Sequence, residues 1–363
     1  MINRISFKNY KPFKEEFELE LRPMTILIGK NNSGKSAVAK LPTLIENSLS
    51  GTFDEPIRLN NNDVELGAEF RDLVYGKNLS QLTLKMESED EILELKLGVD
   101  VRAKEIAKIF SWKLNNHFGN FLKEEEGNYF KGFLLESNEE IYKIKTLKLK
   151  TDYIGPFRIL PKREYSEINY NEKIEKIGIE GQNAYNLIIQ DGLTTEQVLL
   201  KKISKWYYDT FEGWEIRVNQ DKAPFYQIEL TKDSGRLNIN LKDVGQGMAQ
   251  ALPLVVSAFM ETIEEKLIII EEPESHLHPA AHGNLAELFV ESLKDKNKKY
   301  LIETHSQNFV LRLRRLVAEK KLSHEDIVIY YVDFDENSNT SKLQKIDVDE
   351  LGQELVHIWN NVV

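Results

Sequence analysis

Gly29-Lys30-Asn31-Asn32-Ser33-Gly34-Lys35-Ser36 lies between an apolar run, Thr25-Ile26-Leu27-Ile28, and a helix-forming run that begins Ala37-Val38-Ala39. A glycine-bounded loop joining a strand to a helix can turn its backbone N–H groups inward around an anion. The helix that opens after it adds the positive end of its dipole. The Lys-Ser ending supplies a mobile cation and a hydroxyl, placing Lys35 for the terminal phosphates of a nucleotide and Ser36 for Mg²⁺. The eight residues Gly29, Lys30, Asn31, Asn32, Ser33, Gly34, Lys35 and Ser36 are assigned to a phosphate-binding loop, and the chain to the α/β class.

A second run fits the first. Lys266-Leu267-Ile268-Ile269-Ile270-Glu271-Glu272-Pro273-Glu274 is a short apolar, β-branched strand ending in carboxylates, the way a buried parallel strand delivers acids to a sheet edge. Glu271 is assigned to the Mg²⁺ shell and Glu272 to accepting a proton from the water that attacks a γ-phosphate.

The 363 residues suffice for one large domain or for a domain carrying a sizeable insertion. A hydrophobic fraction of 41% with 29% charged residues is that of an ordinary soluble protein. With no cysteine, disulfides and cysteine-ligated zinc are excluded, in keeping with a reducing cytosol. Met1 to Phe7 alternates instead of forming an apolar leader, and no apolar run approaches the ~20 residues that cross a bilayer. A cytoplasmic protein with no membrane partner is expected. The net charge of −11 argues against a globally basic nucleic-acid binder. Alternate lysines between Ile141 and Lys150 leave local nucleic-acid contact possible, although such a pattern more often marks a solvated strand face or a protected edge.

Residues 1–50 read as two strands, the loop and its helix. From 51 to 150 the pattern changes to short strands, Leu82 to Met86 and Ile92 to Leu97, with an amphipathic helix around Val101 to Leu122, and the segment is taken as an inserted lobe. The nucleotide-binding part, 1–50 and 151–363, resumes at Asp152-Tyr153-Ile154-Gly155-Pro156-Phe157-Arg158. Gly245-Gln246-Gly247, at the start of an apolar helix running through Ala251 to Met260, is a second candidate anion cradle, weak by itself. Tyr300 to Ser306 reads as a strand ending in a polar loop. Ile327 to Val332 and Lys342 to Ile346 read as a hairpin.

In this order the elements resemble the ABC-type ATPase heads of the SMC, RecF and OLD group, most closely its stand-alone bacterial ATPases of phage-defence and toxin-like modules. The marks are Glu271-Glu272-Pro273-Glu274-Ser275-His276-Leu277-His278-Pro279, the Tyr153 to Arg158 and Asp243 to Pro253 segments, and Glu303-Thr304-His305-Ser306 followed by Leu311 to Arg315. The resemblance implies a P-loop NTPase fold with a mostly parallel core sheet, N-terminal antiparallel strands and an inserted α/β lobe. It implies ATP and Mg²⁺ as cofactors and a head-to-tail homodimer in which Gly245, Gln246 and Gly247 cap the γ-phosphate held by the other chain. Glu274 to Pro279 would form the D-loop at that interface. His305 would contact the γ-phosphate, and Phe7 to Tyr10 would lie near the adenine. Glu271 stands where many relatives have Asp, and no serine accompanies the two signature glycines, so slow hydrolysis is expected. His276, His278 and His282 could on spacing alone suggest a metal site, but the D-loop explains them better.

Three functions follow from the resemblance. The favoured one is an ATP-gated switch that controls a separately encoded effector, in anti-phage defence or DNA maintenance. A DNA-binding repair clamp is the alternative. An OLD-like nuclease is disfavoured, because the acidic residues after His305, including Asp333 and Asp335, lie in a tail too short for an appended metal-binding domain.

Overall fold

The computed structural model describes residues 1–61, 63–100, 106–120, 129–136, 147–166, 173–233 and 235–353. The chain opens with β1 (Arg4–Lys8), β2 (Phe17–Glu20) and β3 (Met24–Gly29), then α1 (Lys35–Leu49). Two strands were expected before the loop. The additional one, β2, is four residues long and half of them are glutamates, with only Leu19 fully buried, so it gives little hydrophobic signal. There follow β4 (Asn60–Asn61), β5 (Val64–Glu65), β6 (Leu82–Glu87), β7 (Ile92–Asp100), β8 (Ile106–Leu114), β9 (His117–Asn120), β10 (Tyr129–Lys131) and β11 (Leu134–Glu136). After β12 (Thr151–Ile154) come α2 (Asn183–Gly192), α3 (Val198–Thr210), β13 (Glu215–Lys222), β14 (Phe225–Lys232), β15 (Leu237–Asn240) and α4 (Gln246–Phe259). The last part holds β16 (Lys266–Glu271), α5 (Pro279–Ser292), β17 (Lys298–Glu303), α6 (Gln307–Ala318), β18 (Ile327–Asp335) and β19 (Thr340–Ile346).

The helix expected around Val101 to Leu122 is not formed by the described part of that stretch. Residues 106–114 and 117–120 are β8 and β9, paired antiparallel through a two-residue Asn115-Asn116 turn in which Asn115 takes the left-handed φ of 52°. An Asn-Asn pair between apolar alternations is a hairpin signal. The apolar residues of this stretch fit both periods, and pairing with β7 decides for the strand. Residues 101–105, 121–122 and 141–146, the last holding Lys143 and Lys145 of the lysine alternation, lie outside the described residues.

Two six-stranded sheets make the frame. The central sheet runs β12-β16-β17-β3-β18-β19 and is parallel except for the final hairpin. Strands β3 and β16 are buried on both faces along their whole length, which accounts for their unbroken apolar runs. Side-chain alternation divides the core in two. Met24, Ile26, Ile268, Ile270 and Ile302 face the layer of α2 to α6, whereas Leu27, Leu267, Ile269 and Leu301 face α1 and the second sheet. That second sheet, β2-β1-β6-β7-β8-β9, is wholly antiparallel. Since β6 pairs with β1, strands β6 to β9 of the 51–150 segment complete a sheet that the N-terminus begins, while β4-β5 and β10-β11 form two small sheets of their own. β13-β14-β15 form a smaller antiparallel sheet.

The topology brings the carboxyl ends of β3, β16 and β17 side by side, the edge where open α/β sheets bind ligands. Among the described residues no helix is long and apolar enough to cross a membrane.

Candidate active site

The loop leaving β3 needs its glycines. Gly29 has φ 146° and a Cβ there would sit 2.1 Å from the Val332 carbonyl oxygen, and Gly34 has φ 103° with Pro12 Cγ at 2.7 Å from any added Cβ. The loop is braced from the far end of the chain, where Ser341 in β19 donates its hydroxyl to the Ser33 carbonyl at 2.6 Å. Helix α1 begins at Lys35 with no side-chain cap and no acid in its first turn, so its N-terminal N–H groups and dipole are left for an anion. Phe7 and Tyr10, placed by the resemblance near the adenine, are core residues packed ring to ring at 5.5 Å. Tyr10 donates its hydroxyl to the Ala37 carbonyl and so supports the start of α1.

Lys35 is 3% exposed and turns back into its own loop, donating to the carbonyls of Gly29 at 3.1 Å and Lys30 at 2.7 Å. Its Nζ lies 3.7 Å from Glu303 Oε1. Burial lowers the lysine pKa, opposed by the carboxylates of Glu303, Glu272 and Glu271. The motif residues therefore converge, although some 230 positions separate Lys35 from the two glutamates that end β16.

Glu271 is 6% exposed, and burial raises its pKa; the Tyr153 phenol, at the end of β12, hydrogen-bonds its Oε1 and opposes the shift. Tyr153→Phe deletes only that donor from a buried carboxyl, so the unfolding free energy should fall by about 1–3 kcal/mol. Urea denaturation of the nucleotide-free protein at pH 7 reads the change, and an unaltered midpoint would show that the contact contributes nothing.

Glu272 adopts the left-handed φ of 45°, uncommon for a residue with a side chain. Three contacts hold it there. Its N–H donates to the Glu303 carbonyl at 2.8 Å, its own carbonyl accepts from Arg158 Nη2 at 2.7 Å, and its Oε2 accepts from the Ser275 hydroxyl at 2.9 Å. Arg158 is 4% exposed and also donates to the Glu271 carbonyl at 3.1 Å; burial lowers its pKa to about 10. The turn that presents Glu272 is thus clamped from behind.

His305 follows β17 and stays exposed, with its pKa lowered by burial of part of the ring and by Lys35. Its backbone N–H donates to Glu274 Oε1 at 2.7 Å, tying the His305 loop to the turn after β16. The other histidines do not converge. His278 caps α5, while His282 bridges the Ser306 hydroxyl and the Leu277 carbonyl. Among the described residues no group of three or more His, Asp or Glu is arranged to hold a metal ion. Asp335 is spent on Lys342 and on the turn N–H groups of Asn337 and Ser338.

Gly245, Gln246 and Gly247 lie at the start of α4, the first two exposed. No hydrogen bond among the described residues links them to the phosphate loop of the same chain. The two glycines differ. An added Cβ at Gly245 meets nothing within 4 Å, but at Gly247 it would sit 2.5 Å from the His276 carbonyl oxygen, so Gly247 is fixed by close packing on the turn before α5.

Glu303, Tyr153 and Arg158 were not assigned roles from sequence. Glu303 ends β17 in register with Glu271, and its pKa is pushed up to about 7 by burial and the neighbouring Glu271 carboxylate, against the help of Ser36 and Lys35. The donors suit a nucleotide with a divalent cation. The helix start is uncapped, and the buried Ser33 hydroxyl and Glu303 Oε2 have no hydrogen-bond partner.

Residues 24–312 match the family model described as "AAA domain, putative AbiEii toxin, Type IV TA system". The chain is 24% identical over 344 residues to an ATP/GTP phosphatase of Helicobacter pylori, with 90% of each protein covered. It is 23% identical to an OLD nuclease of Thermus scotoductus, of which it spans 64%. In fold it is similar to an SMC head crystallised with the C-terminal winged-helix domain of ScpA, with a TM-score of 0.55, 13% identity, and 96% and 98% of the two chains covered. A second SMC head, bound to the C-terminal domain of ScpA from Pyrococcus furiosus, gives 0.51 at 11% identity over 95% and 96%.

Proposed function

We propose, for a chain that belongs to this AAA-domain family and is an ATPase of the SMC and OLD type, that it works as a nucleotide-gated switch closing head to tail on two ATP molecules. One observation carries the reading: a buried lysine at the mouth of an uncapped helix lies within electrostatic reach of Glu271 and Glu272.

In this reading residues 29–36 bind the phosphates through backbone N–H groups, and Lys35 leaves the Gly29 and Lys30 carbonyls to pair with the terminal ones. Ser36 and Glu271 hold Mg²⁺, which when bound withdraws charge from the phosphate oxygens. Glu272, fixed by Arg158 and Ser275, takes the proton of the water whose oxygen attacks the γ-phosphorus, giving ADP and phosphate. His305 reads the γ-phosphate. Since Glu274 joins the His305 loop to the D-loop, closure and hydrolysis share one element. Residues 1–50 and 151–363 act as the head and 51–150 as a lobe that extends its N-terminal sheet. The effector is a separate protein, and a role in anti-phage defence fits such a switch.

The dimer is tested at Gly245. Unlike Gly247, this position accepts a side chain without disturbing its own chain, so Gly245→Asp places a negative charge only where a second chain's γ-phosphate would approach. Neither Gly245→Asp nor Lys35→Ala alone should hydrolyse ATP. Mixed, they form heterodimers with one intact composite site, and activity should return in proportion to heterodimer content. Full activity in Gly245→Asp by itself would overturn the head-to-tail arrangement.

A further inference from the structure

The phosphate-site reading leaves Glu303 unexplained. It is 4% exposed, a polar group in a position that no sheet packing requires, and it ends the strand lying between the phosphate-loop strand and the strand that carries Glu271. Glu271 and Glu303 are register partners on neighbouring parallel strands, about 4.8 Å apart along the hydrogen-bonding direction. Two buried carboxyl groups on one face repel each other unless a cation stands between them. Lys35 is the cation nearest Glu303, but at 3.7 Å it meets only Oε1 and spends its closer contacts on two carbonyls. Glu303 Oε2 is buried with no hydrogen-bond partner, whereas Glu271 has the Tyr153 phenol. A carboxyl oxygen that has been desolvated and left without a partner, beside one already held by its neighbours, marks a place where a ligand completes the coordination.

We propose that Glu303 is a second carboxylate of the divalent-cation site, standing with Glu271 and the Ser36 hydroxyl. The inference rests on reading residues 29–36 as the site of ATP and its cation. Magnesium and manganese sites in phosphoryl-transfer proteins take one or two carboxylates with phosphate oxygens and water, and this site supplies the larger number. A single carboxylate would hold the cation chiefly through the nucleotide; two hold it before the nucleotide arrives. When nucleotide binds, Lys35 moves to the phosphates and releases Glu303 Oε1, so both oxygens of Glu303 become free for the cation.

Manganese alone is the probe. Titrating the nucleotide-free protein with MnCl₂ and following the loss of the free-ion EPR signal should show one bound ion. Glu303→Gln, nearly isosteric, should weaken it by about tenfold or more, and Glu303→Asp by less. A thermal melt of each variant confirms that it is folded. The same comparison in a Lys35→Met background separates the cation role from service as a counter-ion to the lysine. There Glu303→Gln must still weaken manganese binding. Unchanged affinity in that background overturns the proposal. Glu271→Gln is the control for the site itself. If it abolishes manganese binding and Glu303→Gln leaves the affinity unchanged, the inference about Glu303 falls and the phosphate-site reading stands. If the wild type takes up no manganese with or without ADP, both fall.

Discussion

Replacing Glu272 by glutamine is expected to lower kcat for ATP hydrolysis by about 10²–10⁴-fold while ATP remains bound. The amide keeps the size of the side chain and can still pair with the Ser275 hydroxyl, but it cannot take a proton from water. The backbone contacts from Arg158 and to the Glu303 carbonyl do not involve the side chain, so the left-handed turn survives the change. Equilibrium binding of a fluorescent ATP analogue and single-turnover phosphate release separate the two properties. Glu271→Gln should behave differently, losing the dependence of nucleotide binding on Mg²⁺ along with turnover. Normal hydrolysis by the Glu272→Gln protein, with loss confined to Glu271→Gln, would exchange the roles of the two carboxylates.

Lys35→Ala should weaken ATP binding by about 100-fold, the worth of charge-assisted hydrogen bonds of ~3 kcal/mol. The fold also feels the change. Without Lys35 the buried Glu303 carboxyl loses its counter-charge, and its pKa, already near 7, rises further. An acid whose folded pKa lies above its unfolded value loses stability as pH rises from the unfolded value through the folded one. In the absence of metal and nucleotide, the deficit of Lys35→Ala relative to wild type should thus grow between pH 6 and pH 8.5 in urea titrations. Adding Glu303→Gln should remove that growth and leave the loss of ATP binding. A deficit independent of pH would mean that the pair does not couple.

What the sequence made legible was what is contiguous. The phosphate loop, the strand ending in Glu271 and Glu272, and the loop of His305 each declare themselves within ten residues, because strand, turn chemistry and reacting group lie together. Tyr153, Arg158 and Glu303 do not, because their roles come from register between strands: Tyr153 matters only because β12 lies beside β16, and Glu303 only because β17 separates β16 from β3. The difference between Gly245 and Gly247 is likewise a matter of what packs behind each. The missed strands at 106–120 had apolar residues compatible with both periods, and the neighbouring strand β7 chose between them. The run ending in Glu271 declared a buried parallel strand and the resemblance implied a mostly parallel core, whereas the lobe's membership in the N-terminal sheet was not foreseeable.

The strand that carries the phosphate loop is hydrogen-bonded on one side to Lys298–Glu303 and on the other to Ile327–Asp335, and the loop is braced by Ser341. On a ribosome this order has a consequence. The loop and α1 are made among the first fifty residues but wait for more than 240 others before either flanking strand exists, so a nascent chain carries the nucleotide motif long before it can bind nucleotide. Until then β3 is an apolar segment with two open edges, the kind of intermediate that chaperones engage. Only a chain translated past the β18–β19 hairpin has both flanking strands and the Ser341 brace in place, so the motif is made early and becomes a binding site late.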